Sequence, residues 1–259
     1  MTYFDKPNPP ARVTIGCGKG FIPGRRVLIQ YTTAHSPRLG LQRANPLHVQ
    51  SRSYWAPANI GPYSQAHSAQ CSDEDYIDAV YVAGQIALHP ATTELVYDES
   101  ADWRTNFALE TVLSLQHLWR IGREMKVSWW TGAVAYLASG QGGDFSAHKA
   151  RLAGKAWSCH HTARQEDSDG DLENFDVWDT AQLKYKNPMS NAKRLDSLIK
   201  EIPDRSVVSV LSLADDTSTL YIPPFFAAEV CELPKGGAIE WQALLGLTAG
   251  PIEVSCHTI

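Results

Sequence analysis

A small-molecule pocket is predicted where a glycine interrupts an apolar strand near a turn that carries a tyrosine. Residues 77–86 alternate so that apolar side chains cover both faces, which is typical of a strand in the middle of a sheet. Gly84 removes the side chain within that strand, and such a glycine usually marks a bulge or the close approach of another group. The turn-rich run 56–63 ends at Tyr63. We therefore predict a pocket near Gly84 and Tyr63.

Other residues of types that bind metals or nucleotides lack the spacing that those sites need. Residues 159–161 read Cys-His-His, but three consecutive residues on one helix point in different directions. The acidic run 167–171 is not followed by the glycine and glutamate that a calcium loop has at its sixth and twelfth positions. The glycines within 16–20 have no strand–helix–strand context. We predict no metal site and no cofactor.

Two phrases around the predicted pocket resemble the RidA/YjgF family of reactive-intermediate deaminases. They are IGPYSQA at 60–66 and VYVAGQIALHPATTEL at 80–95, in the order and spacing of that family. The resemblance implies an α+β fold of the chorismate-mutase-like type, in which two helices pack on a mixed sheet and the domains assemble as trimers. It covers residues 54–161 and 225–246 as one domain, and 9–33 as a fragment of another.

The resemblance also implies a deaminase site between subunits, where an arginine pairs with the substrate carboxylate and a glutamate orients the attacking water. At the arginine position this sequence has Phe225, which cannot pair with a carboxylate. Losing such a charged contact commonly costs about 2–5 kcal/mol of binding. Glu240 matches the glutamate and is the candidate catalytic residue. The matched ligand-binding positions are Tyr63, Gly84, Gln85 and Lys149, the last standing where the family has an asparagine.

Arg12 is the arginine of the N-terminal fragment and the one residue that could restore the missing cation. We expect it to be an exposed arginine at a strand edge. The alternative is that it lies against a neighbouring domain or subunit and completes the site. Because Phe225 replaces the arginine, we predict a non-catalytic module and keep an imine/enamine deaminase with an altered pocket as the alternative.

A longer phrase, LHVQSRSYWAPANIGPYSQA at 47–66, resembles the tandem RidA-like domains at the C-terminal end of eukaryotic, fungal-type diphthine–ammonia ligases. These enzymes use an ATP-pyrophosphatase domain to amidate diphthine on elongation factor 2. The sequence contains no Ser-Gly-Gly-Lys-Asp loop of the kind that domain carries. We therefore predict an accessory module of diphthamide biosynthesis that serves assembly or substrate docking.

Motifs and composition predict three regions and a set of elements. The regions are the closing hairpin of a truncated RidA-like domain (1–33), a linker (34–50), and a RidA-like domain (51–250) with a charged insertion at about 164–203. A hairpin without its own sheet must find another edge. The elements are hairpin strands at 12–16 and 26–31, helices at 102–126 and 145–161, a strand at 128–137, a hairpin at 206–222, and a closing hairpin at 227–245.

The composition of the chain indicates which classes of binding partner and which cellular compartment to expect. A net charge of −5 and a pI near 6.0 disfavour nucleic acid as a partner, and therefore an endonuclease. Five cysteines without a C-x-x-C pair are typical of a reduced, intracellular protein. The sequence has no apolar run of the roughly 18 residues that a membrane helix needs. We predict a cytoplasmic protein that associates with itself or other RidA-like domains and, through its parent ligase, with elongation factor 2.

Overall fold

Two β-sheets and two long helices organise the described part of the chain. The computed structural model describes residues 9–32, 45–53, 55–70, 78–140, 143–166 and 222–248. The elements in chain order are β1 (Asn45–Leu47), β2 (Ala66–Gln70), β3 (Asp78–Val82), α1 (Trp103–Glu124), β4 (Trp129–Trp130), β5 (Ala133–Ala138), α2 (Gly143–Glu166), β6 (Phe225–Val230), β7 (Ile239–Ala243) and β8 (Gly246–Leu247).

The strands form one antiparallel sheet and one mixed sheet. The five-stranded sheet has the order β1-β2-β3-β8-β4, and all its neighbours are antiparallel. The three-stranded sheet has the order β6-β5-β7, with β5 parallel to β6 and antiparallel to β7. An isolated bridge between Gln85 and Trp241 joins the chain after β3 to β7. The predicted α+β class, with a mixed sheet and two helices, is confirmed.

Helix α1 forms at the predicted place because its ends and its apolar face are both encoded locally. The Asp102 carboxylate accepts a hydrogen bond from the Thr105 N–H at 2.8 Å and caps the first turn. Four buried side chains face the core at helical spacing: Phe107, Leu115, Leu118 and Ile121. Gly122 lies inside the helix. A Cβ at this position would stand 2.4 Å from the Trp130 ring, so the glycine leaves room for that ring.

Helix α2 covers the same side of the mixed sheet and extends beyond the predicted 145–161. On its buried face, Ala153 and Trp157 are fully buried. The Trp157 indole N–H donates to the Pro223 carbonyl oxygen at 2.8 Å, just before β6. Trp157 also stacks on Trp241 of β7, with ring centroids 6.0 Å apart. This hydrogen bond satisfies the one polar atom of an otherwise apolar side chain.

Three predicted boundaries differ from the structure, because each depends on pairing that local sequence does not show. The predicted linker 34–50 contains β1, which pairs with β2. The single strand predicted at 128–137 is two strands, separated at Gly132, whose φ is 154°. The closing pattern at 227–245 is not a hairpin, since β5 lies between β6 and β7.

The N-terminal hairpin predicted at 12–16 and 26–31 is wrong for the described residues, which form no ladder with each other. The segment 9–16 instead bonds to the domain: the Ser64 N–H donates to the Pro10 oxygen, and the Gly84 N–H to the Arg12 oxygen. Backbone groups of the domain therefore form the hydrogen bonds that the second hairpin strand was predicted to form with this segment. The predicted charged insertion and the hairpin at 206–222 lie almost entirely outside the described residues.

Candidate functional site

The first part of the candidate site is the contact between the Arg12 guanidinium and the Tyr63 ring. The guanidinium carbon lies 5.4 Å from the centre of the ring, which is a cation–π distance. A Cβ on Gly61 would stand 3.0 Å from a guanidinium nitrogen, so the glycine leaves the space that the cation occupies. Arg12 is exposed, as predicted, but it is aimed at Tyr63 rather than into solvent alone. Arg12 thus lies against the turn that carries Tyr63.

The turn around Tyr63 is held by hydrogen bonds to its backbone. The Tyr63 N–H donates to the Gly61 oxygen at 2.9 Å, and the Asn59 amide donates to the Tyr63 oxygen. Burial raises the pKa of the Tyr63 phenol, Arg12 opposes this rise, and Glu240 adds to it. Tyr63 is therefore within electrostatic reach of both the cation and the carboxyl group.

The second part of the candidate site is the carboxyl group of Glu240, on strand β7. It is 3% exposed, and burial raises the pKa of its carboxyl group to about 8. Near neutral pH the group is therefore mainly a neutral acid that can donate a proton. Among the described residues, no hydrogen-bond partner reaches its Oε2 atom. A buried polar atom without a partner is unusual and marks a place where a ligand or water can bind.

Gly84 lies between the Glu240 carboxyl group and the N-terminal segment. Its place within an apolar segment predicted such a close approach of another group. A Cβ on Gly84 would stand 1.8 Å from Oε1 of Glu240 and 3.0 Å from a methyl carbon of Val13. Its N–H donates to the Arg12 oxygen at 3.1 Å. Only a glycine allows the carboxyl group and the N-terminal segment to approach the backbone here. We call the group Arg12, Tyr63, Gly84 and Glu240 the Arg12–Glu240 site.

Gln85 stabilises the backbone next to this site through hydrogen bonds. Its backbone exchanges hydrogen bonds with Trp241, at 2.8 and 2.9 Å, which fixes the chain after β3 against β7. Its buried amide donates to the Gln65 side chain at 3.1 Å and to the Ala83 oxygen at 2.9 Å. Because the amide is used within the protein, Gln85 positions Gly84 and Glu240 rather than presenting a free group.

The predicted ligand-binding residue Lys149 lies with a different set of residues. Its ammonium donates to the Ala138 oxygen at 2.8 Å and lies 5.4 Å from the centre of the Phe107 ring. Burial lowers the pKa of Lys149, while the nearby Glu110 carboxylate raises it. Lys149 therefore belongs to the packing between α1, α2 and β5.

Phe225, which replaces the expected arginine, faces the helices. Its ring centroid lies 5.7 Å from that of Trp241, and a Cβ on Gly154 of α2 would stand 3.1 Å from the ring. The cation of the Arg12–Glu240 site comes instead from a segment more than two hundred positions earlier in the sequence.

Tyr136 is a residue at this site that the sequence analysis missed. It lies on β5 directly opposite Glu240 in the antiparallel ladder, and its hydroxyl donates to the Gln242 side chain at 3.1 Å. Burial raises the pKa of Tyr136, and Glu240 and Cys17 both raise it further. The signal was present in β5, where buried Ala133, Ala135 and Leu137 alternate with Tyr136, but the pairing with Glu240 requires the register.

The residues set aside as metal ligands have structural roles where they are described. His161 contacts the Trp157 oxygen through Nδ1 at 2.9 Å and packs on the Trp119 and Trp157 rings. No cluster of three or more His, Cys, Asp or Glu side chains able to hold a metal occurs among the described residues. Within the same ranges, no helix combines the length and apolarity needed to cross a bilayer.

Sequence comparison relates the chain to two fungal enzymes. It is 34% identical over 143 residues to the diphthine–ammonia ligase of Schizosaccharomyces pombe, and 42% identical over 71 residues to that of Saccharomyces cerevisiae. The matches cover 55% and 27% of this chain, but only 20% and 9% of the two relatives. No family model matches the chain.

Solved structures similar to the chain include RidA and YjgF proteins. The Escherichia coli YjgF gene product is 17% identical, with a TM-score of 0.35 over 76% of this chain and 96% of that chain. RidA from the Antarctic bacterium Psychrobacter is 16% identical, with a TM-score of 0.33 over 76% and 96% of the chains. Yeast Mmf1 is 14% identical, with a TM-score of 0.36 over 80% and 99%. It is the sequence matches to the two fungal enzymes that confirm the predicted resemblance: this chain carries a region similar to part of the fungal diphthine–ammonia ligases.

Proposed function

We propose that this chain is a RidA-like module that serves a diphthine–ammonia ligase, and that its Arg12–Glu240 site binds a small molecule with a carboxylate. The sequence matches to two fungal ligases support the first part. The exposed Arg12 guanidinium above Tyr63 supports the second and is the observation that carries it. The proposal includes a cytoplasmic location, association with other RidA-like domains, and elongation factor 2 as the substrate of the parent ligase.

The chemistry of the site favours an anion at one end and a neutral polar group at the other. A guanidinium offers paired N–H donors in the geometry of a carboxylate. Glu240, held mainly neutral by burial, does not repel the anion and can donate to or accept from the rest of the ligand. A small 2-oxo or 2-imino acid has this division between a charged end and a polar centre.

Pyruvate and methyl pyruvate test the binding proposal, because they differ in the carboxylate charge. We expect pyruvate, but not the ester, to shift the amide resonances of residues around Tyr63 and Gly84 in an NMR titration. Arg12→Ala should weaken pyruvate binding, whereas Arg25→Ala, an exposed arginine of the same segment, should not. Equal shifts by acid and ester, or no effect of Arg12→Ala, would contradict a carboxylate site.

A second candidate function is hydrolysis of an imine or enamine, which the unpartnered Oε2 atom of Glu240 favours. In this reaction water adds to the imine carbon, the nitrogen gains protons and leaves as ammonia, and a carbonyl remains. The acid form of Glu240 is suited to protonating the nitrogen, and its anion to holding the water. The non-catalytic prediction rested on the missing arginine, and Arg12 weakens that argument.

Ammonia release from 2-aminoacrylate generated in place separates the two functions. A hydrolase should exceed the spontaneous rate and lose this excess in Glu240→Gln, while Glu229→Gln, on strand β6 of the same sheet, keeps it. A binding module should show only the spontaneous rate.

The accessory role needs a separate experiment with elongation factor 2. Diphthine-bearing factor, ATP and ammonium are incubated with a ligase domain, with and without this chain. We expect this chain to increase amide formation by the ligase domain and to form no amide alone. Amide formation by this chain alone, or no effect on the ligase domain, would contradict an accessory module.

A further inference from the structure

Two free cysteines meet where the N-terminal segment crosses the end of β6. Gly16 and Glu232 form an antiparallel bridge, with the Gly16 N–H donating to the Glu232 oxygen at 2.8 Å and the Glu232 N–H to the Gly16 oxygen at 3.2 Å. The Cys231 N–H also donates to the Gly16 oxygen, at 2.8 Å, so two residues oppose one, as in a β-bulge. Cys231 therefore lies beside Gly16, the residue that directly precedes Cys17.

The space around the Cys231 sulfur suits a second sulfur. A Cβ on Gly18 would stand 2.2 Å from the Cys231 Sγ, so this thiol lies against the backbone that directly follows Cys17. Gly18 has a φ of +53° and no side chain to separate the two thiols. The Cys231 N–H and thiol thus contact the residues on either side of Cys17, which places the two cysteines in adjacent positions.

We propose that Cys17 and Cys231 form a reversible disulfide that fastens the N-terminal segment to the end of β6. The Cys231 side of the pair is exposed and Cys17 is half-buried, so Cys231 is the first to meet a small-molecule disulfide. Its thiolate attacks one sulfur of that disulfide and releases one small thiol. The Cys17 thiolate then attacks the mixed disulfide and releases the second thiol.

This exchange is balanced and requires no metal. The two cysteine sulfurs lose two electrons together, the small-molecule disulfide gains them, and the two protons end on the released thiols. A reducing compartment returns both cysteines to thiols, so the link is a response to oxidation rather than a permanent structural bond.

The link acts on the segment that supplies Arg12. Arg12 lies five positions before Cys17, and the segment between Pro9 and Gly16 is held by backbone hydrogen bonds to Ser64, Gly84 and Glu232. A covalent tie next to the last of these bonds reduces the freedom of the segment to leave the sheet edge. The disulfide itself does not depend on the proposed function, and only an effect on carboxylate binding does.

The disulfide is tested by equilibrating the full chain in glutathione buffers of graded potential and mapping the linked peptides by mass spectrometry. We expect a peptide pair joined through Cys17 and Cys231 at the oxidising end, lost in Cys17→Ser and in Cys231→Ser and kept in Cys159→Ser. Mixed disulfides with glutathione on either cysteine without the internal link, or a link to another cysteine, would overturn the proposal.

Hydrogen exchange measures the fastening directly. The backbone amides of residues 11–17 should exchange more slowly in the oxidised chain than in the reduced chain, by roughly tenfold or more. Cys17→Ser should show the fast rate under both conditions. Equal rates in the oxidised and reduced wild-type chain would show that the link does not hold the segment. Pyruvate titration of the two forms then tests the effect on Arg12, and failure there alone would count against the binding site and not against the disulfide.

Discussion

Two segments of similar sequence pattern, 9–32 and 225–243, have different structures. In the C-terminal pattern, β6 and β7 flank β5 and bury Val230 and Trp241. In the N-terminal pattern, the first half bonds to the sheet edge, while Val27, Leu28, Ile29 and Tyr31 are between 62% and 75% exposed. The difference is that β5 lies between β6 and β7, and the N-terminal pattern has no corresponding strand among the described residues. A strand pattern therefore specifies a tendency, and a partner strand decides the outcome.

The two segments also divide the site between them. The C-terminal pattern contributes the buried carboxyl group of Glu240, and the N-terminal pattern contributes the exposed cation of Arg12. At the position where the family places its arginine, Phe225 packs against Trp241 instead. One segment therefore provides the core and the acid, and the other provides charge with little packing.

The largest effect is expected from removing a core ring of the C-terminal pattern. Trp241→Ala should lower the free energy of unfolding by about 3–5 kcal/mol, because the buried ring packs on Trp157 and Phe225. Tyr31→Ala is the matched change in the N-terminal pattern, and at 75% exposure it should alter stability by less than about 0.5 kcal/mol. Urea denaturation followed by circular dichroism measures both. Similar losses would show that the two patterns pack equally.

The next effect concerns the contact between the two patterns at Gly84. Gly84→Ala should cost about 1–3 kcal/mol of unfolding free energy, because its Cβ would overlap the Glu240 carboxyl group. The control is Gly237→Ala, where the Cβ would make only ordinary contacts of 3.6 Å or more. The same denaturation assay compares them. If Gly84→Ala is as stable as the control, Glu240 does not lie against Gly84.

Glu240 should give the C-terminal pattern a dependence on pH. Burial raises its pKa from 4.5 to about 8, so between these values the folded chain holds a proton that the unfolded chain has released. The free energy of unfolding should therefore fall as pH rises through this window, by up to about 1.4 kcal/mol per pH unit. Glu240→Gln should remove this fall and Glu229→Gln should keep it. Denaturation curves at several pH values measure the slope, and identical slopes in the two variants would place the titration elsewhere.

The smallest effect on stability is expected from the N-terminal cation. Arg12→Ala removes an exposed cation–π contact with Tyr63 and should cost no more than about 1 kcal/mol. Arg12→Lys keeps the charge and should recover part of the stability, but not the paired donors for a carboxylate. Thermal denaturation measures stability, and Arg25→Ala is the control. A loss well above this value would mean that Arg12 holds the segment as well as the charge.

The sequence predicted the helices, but not how the N-terminal segment packs against Tyr63 and Gly84. Periodicity and the Asp102 cap locate α1, since both are properties of the helix itself. The interrupted apolar strand and the turn before it indicated Gly84 and Tyr63, and the family resemblance indicated Glu240. The position of Arg12 depends on which backbone groups of the domain are available to the N-terminal segment, and local sequence does not show this. Strand β1 was missed for another reason: it has three residues, one of them Pro46, and is too short to show a pattern.

The hydrogen bond from Trp157 to Pro223 joins two parts of the chain that are far apart in sequence. It connects α2 to the residues just before β6, at a point inside the core. A substitution that removes the indole N–H would leave a buried carbonyl oxygen without this donor. Neither α2 nor the start of β6 can therefore leave the core without breaking the same bond.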